Sequence, residues 1–216
     1  MKNIYRNLTV IAGCTLLLAA CSKDRLVVEP VNEFLSSNYY QTEDQVASAL
    51  IGVYDPIGWS MAYGQWISPT MMGEIRSDNA NAGGDPSNND QPGWQELDDF
   101  TNTNSNVVLH PIYRKGYIGI SRANALLDLT EIESDAVTSY KAQAQWLRAY
   151  YHFELFRHFG PIPVVNQSLT PEDMSLERGT LSEVMQQIVT DCEEALPHLP
   201  LLAPSGQEGR VTQGAA

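Results

Sequence analysis

The stretch 135–158, DAVTSYKAQAQWLRAYYHFELFRH, does most to limit how this chain can fold. Its residues carry a helical period, with Ser134 placed as N-cap. Trp146, Ala149, Tyr150, Phe153 and Phe156 fall on one side of such a helix, and Tyr140, Ala144, Leu147, Tyr151 and Leu155 on an adjoining side. An ordinary surface helix shows one apolar stripe about 100° wide. This one is apolar around more of its circumference, so neighbours must pack on several of its faces, as in layered or solenoid helical architectures. Gly160-Pro161 then stops it.

Other helices surround it. Thr42-Glu43-Asp44-Gln45 has the form of a capping box, followed by Val46, Ala49, Leu50 and Val53, until Pro56 and Gly58 break or kink the run. A second pattern covers 106–129, although Pro111, Gly116 and Gly119 leave its first half open. Thr180-Leu181-Ser182-Glu183 is another capping box, leading into Val184, Ile188, Val189, Cys192, Ala195 and Leu196 before Pro197. Residues 162–165, IPVV, are apolar and extended, but Pro163 argues against a central strand. Thr212 is placed to cap a helix beginning at Gln213, where the chain stops. A helix only just begun buries nothing, and the expectation is a C-terminally truncated piece of a longer protein.

One segment breaks the helical reading. Residues 73–106 hold seven Asn, four Gly, five Asp and two Glu against one Arg, with Trp94 the one tryptophan. They read as a long polar loop, and loops of that length in ordered domains carry function or move.

The first twenty residues read as a targeting signal. Lys2 and Arg6 form a basic start and 8–20 an apolar run too short for a bilayer span, which takes about 20 residues. Leu18-Ala19-Ala20-Cys21 matches a bacterial lipobox, with the Cys21 thiol as lipid acceptor; the competing reading is an ordinary secretory signal that happens to end in Cys. Ser22 follows, so an Asp-type inner-membrane retention residue is absent, and similarity to other lipoproteins favours the outer membrane. The expected organisation is signal peptide 1–20, lipidated tether 21–30 and an incomplete helical domain 31–216. Removing Lys2 and Arg6 takes the formal charge from −13 to −15, which argues against a nucleic-acid partner. Cys192 would remain as an unpaired thiol, read as a small buried apolar residue.

The run AQAQWLRAYYHFELFRHFGPIP, 142–163, resembles the signature helix of the SusD/RagB outer-membrane lipoproteins, whose pattern is roughly A-x-x-LRAYYYF-x-L-x-R-x-FG-x-[VI]P. Further matches stand in order: the lipobox, Ser121-Arg122-Ala123-Asn124, the helix 184–200 ending in Leu-Pro, and GRVTQGAA at 209–216. The resemblance covers essentially all of the chain after the signal. It implies a mainly α scaffold of tetratricopeptide-like helix pairs with long ligand-face loops. It also implies a surface-exposed lipoprotein that captures oligosaccharide or polysaccharide nutrient, or peptide in some members, for a SusC-like TonB-dependent transporter. No catalysis, cofactor or metal is implied. The rival reading is a helical-repeat scaffold or peptide-binding envelope lipoprotein with no glycan site.

Candidate site residues come from the polar segment. Sugar recognition needs an aromatic face for C–H groups and amides or carboxylates for hydroxyls. Trp94 stands among Asp78, Asn79, Asn81, Asn88, Asn89, Asp90 and Gln95, and it either stacks on a ligand or pins the loop to the body. The aromatics of 135–158 read as packing, and Arg148 and Arg157 as partners for carbonyls or for acids on adjacent helices. His152 and His158 are six positions apart and share no helix face, so they make no metal pair. Asp78-Asn79-Ala80-Asn81 opens like a calcium loop, but Ala80 stands where a ligand oxygen belongs. No nucleophile elbow, phosphate loop or zinc signature occurs.

Overall fold

A computed structural model describes residues 39–216, apart from 63, 64, 67, 89 and 174. The expected signal peptide 1–20 and lipidated tether 21–30, with Cys21, therefore lie outside the described residues. The element order is α1 (Glu43–Tyr54), β1 (Met61–Ala62), β2 (Gln65–Trp66), α2 (Pro69–Ile75), α3 (Pro92–Asp98), α4 (Leu109–Leu129), α5 (Asp135–Phe159) and α6 (Leu181–Ala195). Short 3₁₀ turns punctuate the connections, and β1 and β2 pair antiparallel with Met61 opposite Trp66. Among the described residues no helix is long and apolar enough to cross a membrane.

The expected caps form. Thr42 accepts from the Gln45 amide while the Gln45 side chain accepts from the Thr42 amide, and Thr180 and Glu183 exchange the same pair of bonds. Ser134 accepts from Val137 N–H at the start of α5. Helix α4 runs unbroken where its glycines left it uncertain. Both glycines face α5, and they let the two backbones approach: a Cβ on Gly116 would meet Leu155 Cγ at 2.6 Å, and one on Gly119 the Tyr151 ring at 2.3 Å. The opposition of Gly116 to Leu155, Gly119 to Tyr151 and Asn124 to Arg148 makes the pair antiparallel. Tyr151 crosses above Gly119 and donates to Val53 O at the end of α1, 2.6 Å away.

Helices α1, α4, α5 and α6 enclose the main core, which includes Leu50, Val53, Ile120, Leu126, Leu147 and Val184. As its pattern requires, α5 touches all three others. The C-terminal segment docks on this body through Val211: its N–H donates to the Tyr54 hydroxyl, which itself donates to Gln143 Oε1, each bond 2.9 Å. Thr212 makes no side-chain cap, and residues after it form a 3₁₀ turn, Gln213–Ala215.

The polar segment departs from expectation. It is not one long loop, because α3 forms within it with Pro92 in the first turn, where a missing N–H costs nothing. Met72 and Ile75 of α2, Trp94 and Leu97 of α3, and Val108 and Ile112 at the start of α4 make a second, smaller core. Cys192 is half-buried rather than buried.

Candidate ligand-binding site

The site is built on a strap, residues 160–168, that leaves α5 after Phe159 and forms neither helix nor strand. Gly160 holds φ 69°, a backbone region that glycine enters at little cost, so the chain reverses there. The strap's polar groups are met by side chains from the helices beneath. Arg148 forms a two-pronged pair with Asp191 of α6, Nε to Oδ2 at 2.9 Å and NH2 to Oδ1 at 2.5 Å. Its NH1 donates to Asn124 Oδ1 and to Asn166 O. Asn124 in turn donates to Val165 O and Gln167 O, and the Tyr117 hydroxyl to Pro163 O at 2.7 Å. With Asp191 fully buried and Arg148 nearly so, the pair is charge-matched, and the guanidinium is tied further to Asn124 and Asn166.

His152 completes the anchor. Its Nδ1 lies 2.9 Å from Arg148 O, an acceptor, so that nitrogen carries the proton, and Nε2 accepts from Val165 N–H at 3.3 Å. The second contact requires the neutral ring, because a protonated Nε2 cannot accept, and burial lowers the ring's pKa to about 4. Arg148 is thus paired with an acid of the adjacent helix, as the sequence suggests, whereas Arg157 pairs within its own helix with Glu154 at 3.1 Å.

Between the strap, the start of α4 and residue 178 lies an open groove of about 270 Å³. Tyr113 and Phe159 form its aromatic floor, edge to face with centroids 5.1 Å apart, and Tyr117 lies 4.9 Å beyond Tyr113. Asn104, His110 and Arg178 stand on its polar rim, all three exposed. An aromatic floor with amide, imidazole and guanidinium groups around it suits a ligand with an apolar face and many hydroxyls. At this size it is a shallow subsite, below the range of about 300–1,000 Å³ usual for small-molecule clefts.

None of the candidates named in the polar segment, Trp94, Asp78, Asn79 and Asn81 among them, lines this groove. Asp78, Asn79 and Asn81 lie together, exposed, in the turn after α2. Asn81 Oδ1 accepts from Gly83 N–H, and the turn is tied to α3 by Ala82 N–H to Asp98 and by Gln95 to Gly83 O. Trp94 is separated from them by burial. Only 2% of it is exposed, in the smaller core, and its Nε1 finds no partner among the described residues. With its faces covered, the indole pins the segment to the body, and the stacking role is corrected on that ground. Among the described residues no three His, Cys, Asp or Glu side chains converge to hold a metal ion.

Sequence reasoning missed Tyr113 and Phe159, because each sits at a helix position that reads as core. Only the antiparallel packing of α4 on α5 puts them beside one another, and the strap then forms a wall of the groove above them.

Comparison with known proteins bears on this geometry. The family model described as starch-binding and associating with the outer membrane, SusD-like, matches residues 26–216. A SusD-like protein of Formosa agariphila is 24% identical over 190 residues, covering 86% of this chain and 36% of its own length. Among solved structures, surface glycan-binding protein A from Bacteroides uniformis superposes with a TM-score of 0.73 at 29% identity, covering 81% of this chain and 40% of that one. A laminarin-binding SusD-like protein gives a TM-score of 0.71 at 27% identity, covering 81% and 38%. The chain thus spans little more than a third of the length of the curated relatives it matches.

Proposed function

The chain belongs to the SusD-like family of starch-binding proteins associated with the outer membrane, and from that premise we propose that it binds a nutrient glycan at the cell surface. The observation that carries the proposal is the groove whose Tyr113–Phe159 floor and polar rim are held by a strap fixed to buried Arg148, Asn124 and His152. A sugar ring laid on that floor would shed water from its C–H face, while Asn104, His110 and Arg178 meet its hydroxyls. Shallow contacts leave much of the ordering cost of a flexible glycan uncompensated, so affinity per site is modest and gains come from repeated units of a polymer.

In this reading Cys21 carries the lipid that keeps the protein at the outer membrane, and the bound oligosaccharide passes to a SusC-like TonB-dependent transporter. Residues 31–216 are then the N-terminal part of a SusD-like ligand-binding domain. The chain transfers no bonds, and its work is capture and delivery. Starch and laminarin, the ligands named for its family and for one of its structural relatives, are the first to test.

Isolation of the native protein from outer membranes in mild detergent tests the delivery role. A TonB-dependent transporter should co-purify in stoichiometric amount, and the protein should shift in a gel cast with laminarin or soluble starch. A protein recovered alone, with no retardation across a broad glycan panel, overturns the reading.

A further inference from the structure

We propose that an internal water-binding site lies between α4 and α5, formed by Lys115, Glu154 and His158, and that the bound water locks the last turn of α5 behind the groove. The three side chains line a narrow pocket of about 30 Å³ whose other walls are apolar, Ile57, Ile112 and Leu155 among them. A buried water needs about 10–15 Å³ and roughly two to four polar partners, and this pocket supplies both.

His158 is the residue that points to an occupant. Its side chain is 9% exposed, and Nε2 is buried with no hydrogen-bond partner among the described residues. Leaving such an atom unmatched is costly. Glu154 Oε2 lies 3.8 Å away, too far for a direct hydrogen bond and close enough for one water to touch both. Glu154 lines this pocket and not the open cleft that His158 shares with Thr70, Gly73 and Glu74, which places Nε2 on the pocket side of the ring. Burial, then the Arg157 and Arg76 guanidiniums, lowers the imidazole's pKa to about 4, so the ring is neutral and makes no charged pair across the gap.

The other two groups complete the coordination. Lys115 is nearly buried, and its ammonium donates to Trp59 O at 2.9 Å and Ile57 O at 3.4 Å in the turn after α1. An ammonium has three N–H groups, so one remains. Glu154 commits Oε1 to Arg157 at 3.1 Å, which leaves Oε2. The water accepts from Lys115 Nζ and from the Nε2–H of His158, and it donates to Glu154 Oε2. Ile112 and His158 line the pocket while their chain neighbours Tyr113 and Phe159 form the groove floor, so the water joins α4 to α5 from a different face of each helix. The site stands whether or not the groove takes a sugar.

The test is a crystal structure of the full chain, with magnetic relaxation dispersion of water on the same protein and on His158→Leu and His158→Gln. Density for a water should lie within roughly 2.6–3.2 Å of His158 Nε2 and of Lys115 Nζ or Glu154 Oε2. His158→Leu removes the polar atom and should lose one long-lived internal water relative to wild type, whereas His158→Gln should keep it. The Phe159 amide should exchange roughly threefold faster in His158→Leu than in His158→Gln. A dry pocket, a direct His158–Glu154 bond, or an anomalous peak that identifies chloride or a metal overturns the site. So does an equal count of long-lived waters in wild type and His158→Leu, and equal exchange at Phe159 overturns the lock. If His158→Leu does not fold, the wild-type density decides.

Discussion

Gly119→Ala probes the closest approach in the scaffold. A Cβ there would sit 2.3–2.5 Å from three atoms of the Tyr151 ring, well inside contact distance. The ring cannot swing away cheaply: Tyr151 is 2% exposed and its hydroxyl is bound to Val53 O at 2.6 Å. Overpacking of this kind costs about 1–3 kcal/mol. Shifting the ring enough to lose the bond to Val53 adds about 1 kcal/mol. Alanine returns about 1 kcal/mol through helix propensity. The net is about 2 kcal/mol of destabilisation, or roughly 6 °C in the melting midpoint of a domain this size. Gly52→Ala is the control, since a Cβ in the last turn of α1 meets nothing within 4 Å. It should gain about 0.5–1 kcal/mol from propensity alone, raising the midpoint by about 2 °C. Both variants would be followed by circular dichroism, with Tyr151→Leu added to each background. Tyr151→Leu should cost less in the Gly119→Ala background than in the wild-type chain, because the two sites couple. If Gly119→Ala melts at or above wild type, the tight antiparallel packing of α4 on α5 is refuted.

Three further outcomes follow from the buried polar groups. Arg148→Met leaves Asp191 buried without its partner and should cost about 3–5 kcal/mol in urea unfolding; a loss below about 1 kcal/mol would contradict the anchoring network. His152, lowered by burial to about 4, lies below the 6.5 of an exposed imidazole, so protonation favours the unfolded chain. Its stabilising contribution is complete above about pH 6.5 and is lost as pH falls towards 4, amounting to about 3 kcal/mol. His158, also lowered to about 4 by burial and then by Arg157 and Arg76, acts in the same window. Unfolding midpoints that stay flat between about pH 7 and 5 would contradict both. Trp94→Ala should destabilise by about 3–5 kcal/mol as a core truncation, whereas Trp94→Phe should keep any glycan affinity; selective loss of affinity in a stable Trp94→Ala protein would return the indole to the ligand face.

The elements whose signals are local were legible. Capping boxes at Thr42 and Thr180, the Ser134 cap and the Gly160-Pro161 stop depend on a few neighbouring residues, and each marks its boundary. Gly116 and Gly119 misled because a glycine in a helix costs propensity locally, while its benefit lies on another helix entirely. Residues 92–98 were hidden by polar composition, although Pro92 marks a helix start; only Met72, Ile75 and Val108 supply the surface that buries Trp94. The choice of Asp191 as Arg148's partner could not be read, since several acids of 181–195 share the helical pattern. The groove is still less local: Tyr113 and Phe159 lie 46 positions apart, and their contact exists only once α4 and α5 are antiparallel.

The central claim is that a sugar lies in the groove above Tyr113 and Phe159, and amide exchange measured with and without a neutral glucan oligosaccharide tests it most directly. Saturating ligand should slow exchange in 104–117, 159–164 and 176–179, and leave α1 and the outer face of α6 unchanged. Protection elsewhere with none at the groove would contradict the account, even if the protein bound the glycan tightly.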